Sequence, residues 1–138
     1  MQPLSPTFAI LALASLVWMP NAAYAAPRDL LAGYEKAARQ AAPSFAGFSA
    51  ARGARFFQEP HGGEWSCATC HTPAPITAGK HARTGKAIAP LAPGANPERF
   101  ADAASAEKWF RRNCNDVLGR ECTALEKGDV LTWLISLK

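Results

Sequence analysis

Apolar residues recur at every third or fourth position in four segments of the chain, which is the spacing of helices that bury one face. The predicted helices cover Asp29–Ala42, Ser49–Gln58, Ala103–Arg112 and Glu126–Leu137. Ser49 and Asp102 are good N-caps for the second and third helices, and Pro43 ends the first. The pattern therefore predicts a mainly helical domain.

Glycine and proline interrupt this pattern in two informative places. Gly53 lies inside the second predicted helix, one turn before Phe57. A helical glycine costs about 1 kcal/mol relative to alanine, so we expect another backbone or a bulky ring to come close to it. Residues 72–97 hold five prolines and three glycines, and we expect an irregular loop there.

The N-terminal segment has the organisation of an export signal. An apolar run from Phe8 to Trp18 is too short to span a bilayer comfortably, and it leads to the small residues Ala23-Tyr24-Ala25. We predict cleavage before Ala26, which makes residues 1–25 a signal peptide and residues 26–138 one periplasmic domain. No Lys or Arg precedes the apolar run, so a retained N-terminal anchor is the alternative.

The candidate chemistry is concentrated in Cys67-Ala68-Thr69-Cys70-His71. Two cysteines three positions apart, followed directly by a histidine, form the attachment motif of c-type haem. Each thiol would form one thioether to the haem, and His71 would supply the proximal nitrogen ligand of the iron. A thioredoxin-like redox pair is an alternative, but we find no βαβ pattern beside it. Half of a zinc site is another, and Cys114 and Cys122 have poor spacing for the second half.

The net charge and the cysteine count indicate which kind of partner and which compartment suit this motif. The segment 1–25 contains no charged side chain, so the mature chain keeps the net charge of +4, which suits an acidic redox partner. No nucleic-acid-binding motif is present. With Cys67 and Cys70 assigned to haem, Cys114 and Cys122 are the cysteines left for a disulfide in an oxidising compartment. Such a bridge would contribute about 2.5 kcal/mol by loop entropy.

The sixth ligand of the iron cannot be the methionine of ordinary electron-transfer cytochromes c. Both methionines, Met1 and Met19, lie in the predicted signal peptide. His61, His81, Asn113, a lysine, or no ligand at all remain open. From the residues alone, His61 and His81 are most simply surface histidines, and Asn113 a helix C-cap. Lys80, Arg83 and Lys86 are candidates for pairing with the haem propionates, or are solvated charges.

Several segments resemble known haem proteins. The Gly53–Phe57 helix, the haem motif and the Trp133-Leu134 pair of the last helix are similar to class I cytochromes c, although the distance from Phe57 to Cys67 is longer than usual. More narrowly, the chain resembles the sphaeroides haem protein family from about Leu30 to Leu137. The segments that carry this resemblance are residues 66–71, 90–93, 99–100, 108–114, 119–122 and 126–129.

The resemblance implies an all-α, class I cytochrome c-like fold of about four helices around one covalently bound haem c. It implies that Asn113 is the sixth ligand and that Cys114 and Cys122 form a disulfide. It also implies a high-spin haem, transient oxygen binding, nitric oxide chemistry and electron exchange with a dihaem cytochrome c.

Our hypothesis from these elements is a redox-gated binder of small gases that is not an enzyme. An amide oxygen suits Fe(III) better than the softer Fe(II), so reduction would release Asn113 and open a position for O₂, NO or CO. Trp109 and Phe110 would line the distal pocket. The alternatives are a haem enzyme that turns over NO, O₂ or hydroxylamine, and a low-spin carrier with two histidine ligands. No acid–base group beside the motif is evident from the sequence.

Overall fold

The computed structural model describes residues 22–138, with side chains from residue 26 onward. Within this range the all-α prediction is confirmed, since five helices are accompanied only by a short two-stranded hairpin. The elements are α1 (Ala22–Ala41), α2 (Ala50–Gln58), α3 (Cys67–His71), β1 (Gly79–Lys80), β2 (Ala87–Ile88), α4 (Ala103–Leu118) and α5 (Ala124–Ser136). Among the described residues, no helix is long and apolar enough to cross a membrane.

Helix α1 begins earlier than the sequence pattern predicts, at Ala22 instead of Asp29. It therefore runs through the predicted cleavage position and contains Pro27. Proline removes a backbone donor inside a helix but is well tolerated in the first turn. A chain that began at Ala26 would place Pro27 in that first turn. The apolar run of the predicted signal peptide lies outside the described residues.

Helices α2 and α5 cross in direct backbone contact, and Gly53 makes the contact possible. A Cβ atom at this position would overlap the carbonyl group of Asp129 in α5. The prediction that another backbone approaches Gly53 is confirmed. One turn later, Phe57 is fully buried and packs in a cluster with Val130 and Leu134 of α5. The crossing thus sets the position of the α2 face that carries Phe57.

Asp129 also stabilises the N-terminal end of α2. Its buried carboxylate accepts hydrogen bonds from the Arg52 guanidinium at 2.7 and 2.8 Å and from the Ser49 backbone amide at 2.7 Å. A buried carboxylate is costly unless it is paired and hydrogen-bonded. The Ser49 side chain meanwhile caps α2, as predicted, by accepting from the Arg52 amide.

Helix α4 is longer than predicted, and this changes the environment of Asn113. The helix runs to Leu118 and ends at Gly119, whose φ of 69° lies in the left-handed region that ends helices. Asn113 is therefore an interior helical residue, and its interpretation as a C-cap is wrong. The segment from Cys114 to Cys122 is helical up to Leu118.

The segment between α3 and α4 is mostly irregular, as predicted, apart from the β1–β2 hairpin that pairs Gly79 with Ile88 and Lys80 with Ala87. Gly79 packs so closely on α3 that a Cβ atom there would overlap the carbonyl oxygen of Cys70. The hairpin is thereby anchored against the helix that carries the two haem-motif cysteines. The sequence pattern did not predict either the hairpin or the one-turn helix α3.

We expect Gly53→Ala to lower the free energy of unfolding by about 3 kcal/mol, because the added methyl group cannot fit against the Asp129 backbone. Gly33→Ala in α1 is the matched control, since its Cβ would meet no atom within 4 Å. It should raise stability by about 0.5–1 kcal/mol through helix propensity. Urea unfolding followed by circular dichroism measures both. Equal effects of the two substitutions would contradict the proposed crossing.

Candidate haem site

A single helical turn presents the haem motif. Ser66 caps α3 through a capping box, in which its side chain accepts from the Thr69 amide and the Thr69 hydroxyl accepts from the Ser66 amide. Cys67 and Cys70 are free and half-buried, and His71 is the last residue of the turn. The two thiols and the imidazole are therefore held close together by local backbone geometry.

These three residues line one large cavity of about 330 Å³. The cavity wall also includes, from α4, Ala106, Trp109, Phe110 and Asn113, and from the crossing of α2 and α5, Phe57, Val130 and Leu134. The i, i+3, i+4, i+7 spacing of these four α4 residues puts them on one helix face, and the structure brings that face to the cavity. The site thus combines two thiols, an imidazole, an amide and mainly apolar walls, a donor set that fits a covalently attached haem.

His71 is kept neutral by its surroundings. Burial, and to a smaller extent the positive charge of Arg99, lower the pKa of its imidazole to about 4. Arg99 is fixed by hydrogen bonds to the carbonyl oxygens of Pro90 and Ala89, each at 3.0 Å. Phe57 packs near the imidazole, with ring centroids 6.2 Å apart. A neutral, oriented imidazole is the form that can donate a nitrogen lone pair to a metal.

The two alternatives to haem are not favoured by the structure. Burial raises the pKa of the Cys67 thiol to about 11, whereas the attacking cysteine of a redox pair has a lowered pKa. Within residues 22–138, no group of three or more His, Cys, Asp or Glu side chains is arranged to hold a metal ion. A thioredoxin-like pair and a zinc site therefore both lack the required surroundings.

The two histidines that are candidates for the sixth ligand, His61 and His81, form hydrogen bonds with backbone groups. The Nε2 of His61 donates to the Phe56 carbonyl oxygen at 2.7 Å, and His61 is not part of the cavity wall. His81 does line the cavity, but its Nδ1 accepts the amides of Arg83 and Thr84, each at 3.2 Å. In neutral His81 the proton is then on Nε2, which leaves no free nitrogen lone pair for iron.

A disulfide joins Cys114 to Cys122, as predicted, with the two Cα atoms 5.6 Å apart. It ties α4, one residue after Asn113, to the segment that leads into α5. Arg120 adds a second connection through a salt bridge of 2.7 Å to Glu126, whose pKa is lowered by this guanidinium. The disulfide therefore links α4 to the segment 119–123, and the salt bridge links that segment to α5.

Two arginines stack on tryptophans at the cavity wall. The guanidinium carbon of Arg83 lies 4.8 Å from the ring centroid of Trp65, and that of Arg112 lies 5.7 Å from Trp109. All four side chains line the cavity. Of the three residues predicted as propionate partners, Arg83 lines the cavity, whereas Lys80 and Lys86 are exposed and do not.

Sequence reasoning missed several polar residues of the site. Asp116 and Glu126 line the same cavity as the haem motif. Asp116 follows Asn113 by one helical turn, so both lie on the same face of α4. The helix predicted from the sequence ended at Arg112 and therefore did not include Asp116. The hydrogen bond from the Ala82 amide to the Cys70 sulfur had no signal in the sequence.

Comparisons with known proteins agree with this site. Residues 43–134 match a family described as a domain of unknown function, DUF1924. The chain is 52% identical over 112 residues to the cytochrome c-type protein SHP of Cereibacter sphaeroides, an alignment that spans 78% of this chain and 81% of SHP.

Two solved structures share the fold. The structure of oxidised SHP, described as an oxygen-binding cytochrome c, has a TM-score of 0.66 at 48% identity and covers 78% of this chain and 94% of SHP. A solution structure of cytochrome c'' from Methylophilus methylotrophus, described with reference to haem-ligand detachment, has a TM-score of 0.70 at 38% identity. It covers 80% of this chain and 92% of cytochrome c''.

The fold and these similarities define a c-type cytochrome of the all-α, class I-like kind, whose cofactor is a covalently bound haem c. The chain belongs to the family of SHP, and most of its length is a DUF1924 domain.

We expect Cys67→Ala/Cys70→Ala to lose all haem that survives denaturation, because both attachment points are gone. Each single substitution should keep one thioether and part of the bound haem. The matched control is Cys114→Ala/Cys122→Ala, which removes the disulfide and should keep the covalent haem. Mass spectrometry of the denatured protein measures the attached haem. Covalent haem in the Cys67/Cys70 double variant would contradict the assignment.

Proposed function

We propose that this protein is a high-spin periplasmic cytochrome that exchanges electrons and, once reduced, releases Asn113 to bind small gases. The observation that carries the proposal is the shared cavity: Cys67, Cys70, His71 and Asn113 all line it, whereas His61 and His81 are engaged by backbone groups. In this proposal Cys67 and Cys70 would attach the haem, and His71 and Asn113 would bind its iron.

The bound haem would supply a redox-active iron that can also bind O₂, NO or CO. Asn113 would control the access of these gases to the iron. Its amide oxygen is a hard donor that would stabilise the ferric state more than the ferrous state, so reduction would favour the detached state of Asn113. The description of SHP as oxygen-binding, and of cytochrome c'' in terms of ligand detachment, supports this behaviour.

Neighbouring residues limit how far Asn113 can move and what else can enter. Phe110 is half-buried and packs edge-to-face on Tyr34, with ring centroids 6.0 Å apart. Trp109 is 46% exposed under the Arg112 guanidinium, so it covers the solvent side of the same α4 face. The Cys114–Cys122 bridge limits displacement of α4. Together these contacts would limit the entry of water and favour rapid rebinding of Asn113.

Export to the periplasm is part of the proposal. The disulfide between Cys114 and Cys122 requires an oxidising compartment, and residues 1–25 are proposed to be removed as a signal peptide. The net charge of +4 and the arginines at the cavity wall suit an acidic electron donor, for example a dihaem cytochrome c. We propose no nucleic-acid partner and no stable membrane insertion.

One observation favours the enzyme alternative, namely turnover of NO, O₂ or hydroxylamine at the same site. Asp116 and Glu126 line the cavity and are candidate acid–base groups. Arg120 lowers the pKa of Glu126 by pairing with its carboxylate, so Asp116 is the residue chosen for the test. Steady-state consumption of NO or hydroxylamine that is lost in Asp116→Asn, with CO binding unchanged, would identify an enzyme.

The first test of the gas-binding function is the visible spectrum of the mature protein, oxidised and then reduced, before and after CO is added. We expect a high-spin ferrous haem that binds CO at once. A low-spin ferrous spectrum that CO does not change would contradict release of Asn113 and would favour a carrier with two histidine ligands.

Asn113→Ala should change the oxidised spectrum and leave the reduced spectrum and CO binding close to wild type, because only the ferric protein uses the amide. Asn115→Ala is the matched control: this asparagine is also on α4, but it is exposed and donates to the Arg111 carbonyl oxygen at 2.8 Å. It should leave both spectra unchanged. If Asn113→Ala also leaves both unchanged, Asn113 is not a ligand.

A further inference from the structure

The tip of the β1–β2 hairpin touches the haem motif at a single polar contact. The backbone amide of Ala82 donates a hydrogen bond to the Cys70 sulfur at 3.3 Å. Cys70 is twelve positions earlier in the chain, so the contact depends entirely on how the hairpin folds back. In the holoprotein this sulfur is the thioether that the proposed function places on the haem edge.

The side chain of His81 organises that tip. Its Nδ1 accepts two consecutive amides, those of Arg83 and Thr84, each at 3.2 Å. This is the geometry of the turns that Asn and Asp form with amides two and three residues ahead. The backbone of His81 adds two more bonds, accepting from the Gly85 amide at 2.9 Å and donating to the Lys86 carbonyl oxygen at 2.8 Å.

Contacts on both sides hold the organised tip against α3. At its base, Gly79 packs against the Cys70 carbonyl group without room for a side chain. Beyond Ala82, the Arg83 guanidinium stacks on Trp65, two residues before Cys67. Ala82 lies between these two contacts, so its amide direction is set by the turn that His81 closes.

We propose that His81 is a positioning residue that holds the Ala82 amide on the Cys70 sulfur, and that this hydrogen bond raises the reduction potential of the cytochrome. The donor places a partial positive charge on an atom bonded to the haem edge, which favours the reduced state, as hydrogen bonds near a redox centre generally do. The inference rests on the proposed attachment of haem at Cys70. It does not depend on Asn113 or on gas binding.

The test compares His81→Ala with His81→Asn in the haem-loaded protein. Asn has a side-chain oxygen that can accept the same two amides, and alanine has no acceptor. Two readouts are used: hydrogen exchange of the Ala82, Arg83 and Thr84 amides, and the midpoint potential. Measurement above the pH range in which imidazole titrates ensures that neither substitution changes a charge. His61→Ala is the control for loss of a histidine elsewhere.

We expect His81→Ala to lose protection of the three amides and to have a lower potential, and His81→Asn and His61→Ala to match the wild type. Ala82→Pro removes the donor itself and should lower the potential in the same direction. The double variant His81→Ala/Ala82→Pro should lower the potential no further, because both changes remove the same hydrogen bond, from the Ala82 amide to the Cys70 sulfur. Far-UV circular dichroism and covalent haem content establish that each variant is folded and loaded.

Unchanged amide exchange and potential in His81→Ala would overturn the proposal. So would a His81→Asn variant that behaves like His81→Ala, because the ring would then act by packing instead of by accepting amides. Loss of covalent haem from the Cys67/Cys70 variants is measured separately, as is failure to bind CO. Failure of the proposed function can therefore be told apart from failure of this inference.

Discussion

The close approach of α2 to α5 at Gly53 is the constraint on which the rest of the structure depends. Only a residue without a side chain fits against the Asp129 backbone, and the Asp129 carboxylate in turn binds Arg52 and the Ser49 amide. The buried charge is stabilised because both carboxylate oxygens accept hydrogen bonds, including two from the Arg52 guanidinium. One contact thus sets the distance between the two helices, and the ion pair sets the point along α2 at which they cross.

The cavity follows from that crossing. Phe57 lies one turn beyond Gly53 and packs against Leu134, which gives the haem motif an apolar wall next to His71. Another wall of the cavity comes from α4, which the Cys114–Cys122 bridge joins to the segment just before α5. Helices α1 and α2 pack on α5, and the disulfide joins α4 to the segment just before α5. The side chains that face the cavity are therefore held by elements whose positions depend on one another.

In the proposed function the iron would be held firmly on the side of α3 and weakly on the side of Asn113. The proposed attachment residues and proximal ligand lie on one short turn, α3, which the Ser66–Thr69 capping box stabilises. The proposed distal side is lined by half-buried Asn113 and exposed Trp109, and on this side a weak amide ligand would leave and return. The hairpin would add an electronic influence through the hydrogen bond from the Ala82 amide to the Cys70 sulfur. In this proposal a change in oxidation state would alter the distal side without disturbing attachment.

The sequence by itself determined the features that depend on local spacing: the helices, the haem motif, the need for a close approach at Gly53 and the cysteines left for a disulfide. These follow from periodicity, from the chemistry of adjacent residues and from counting. The tertiary structure alone decided that α4 continues past Asn113 to Gly119, because packing and the disulfide outweigh weak local propensity. It also decided that His61 and His81 bond to backbone groups and that Ala82 reaches Cys70, since such partners are distant in sequence or depend on how a loop folds.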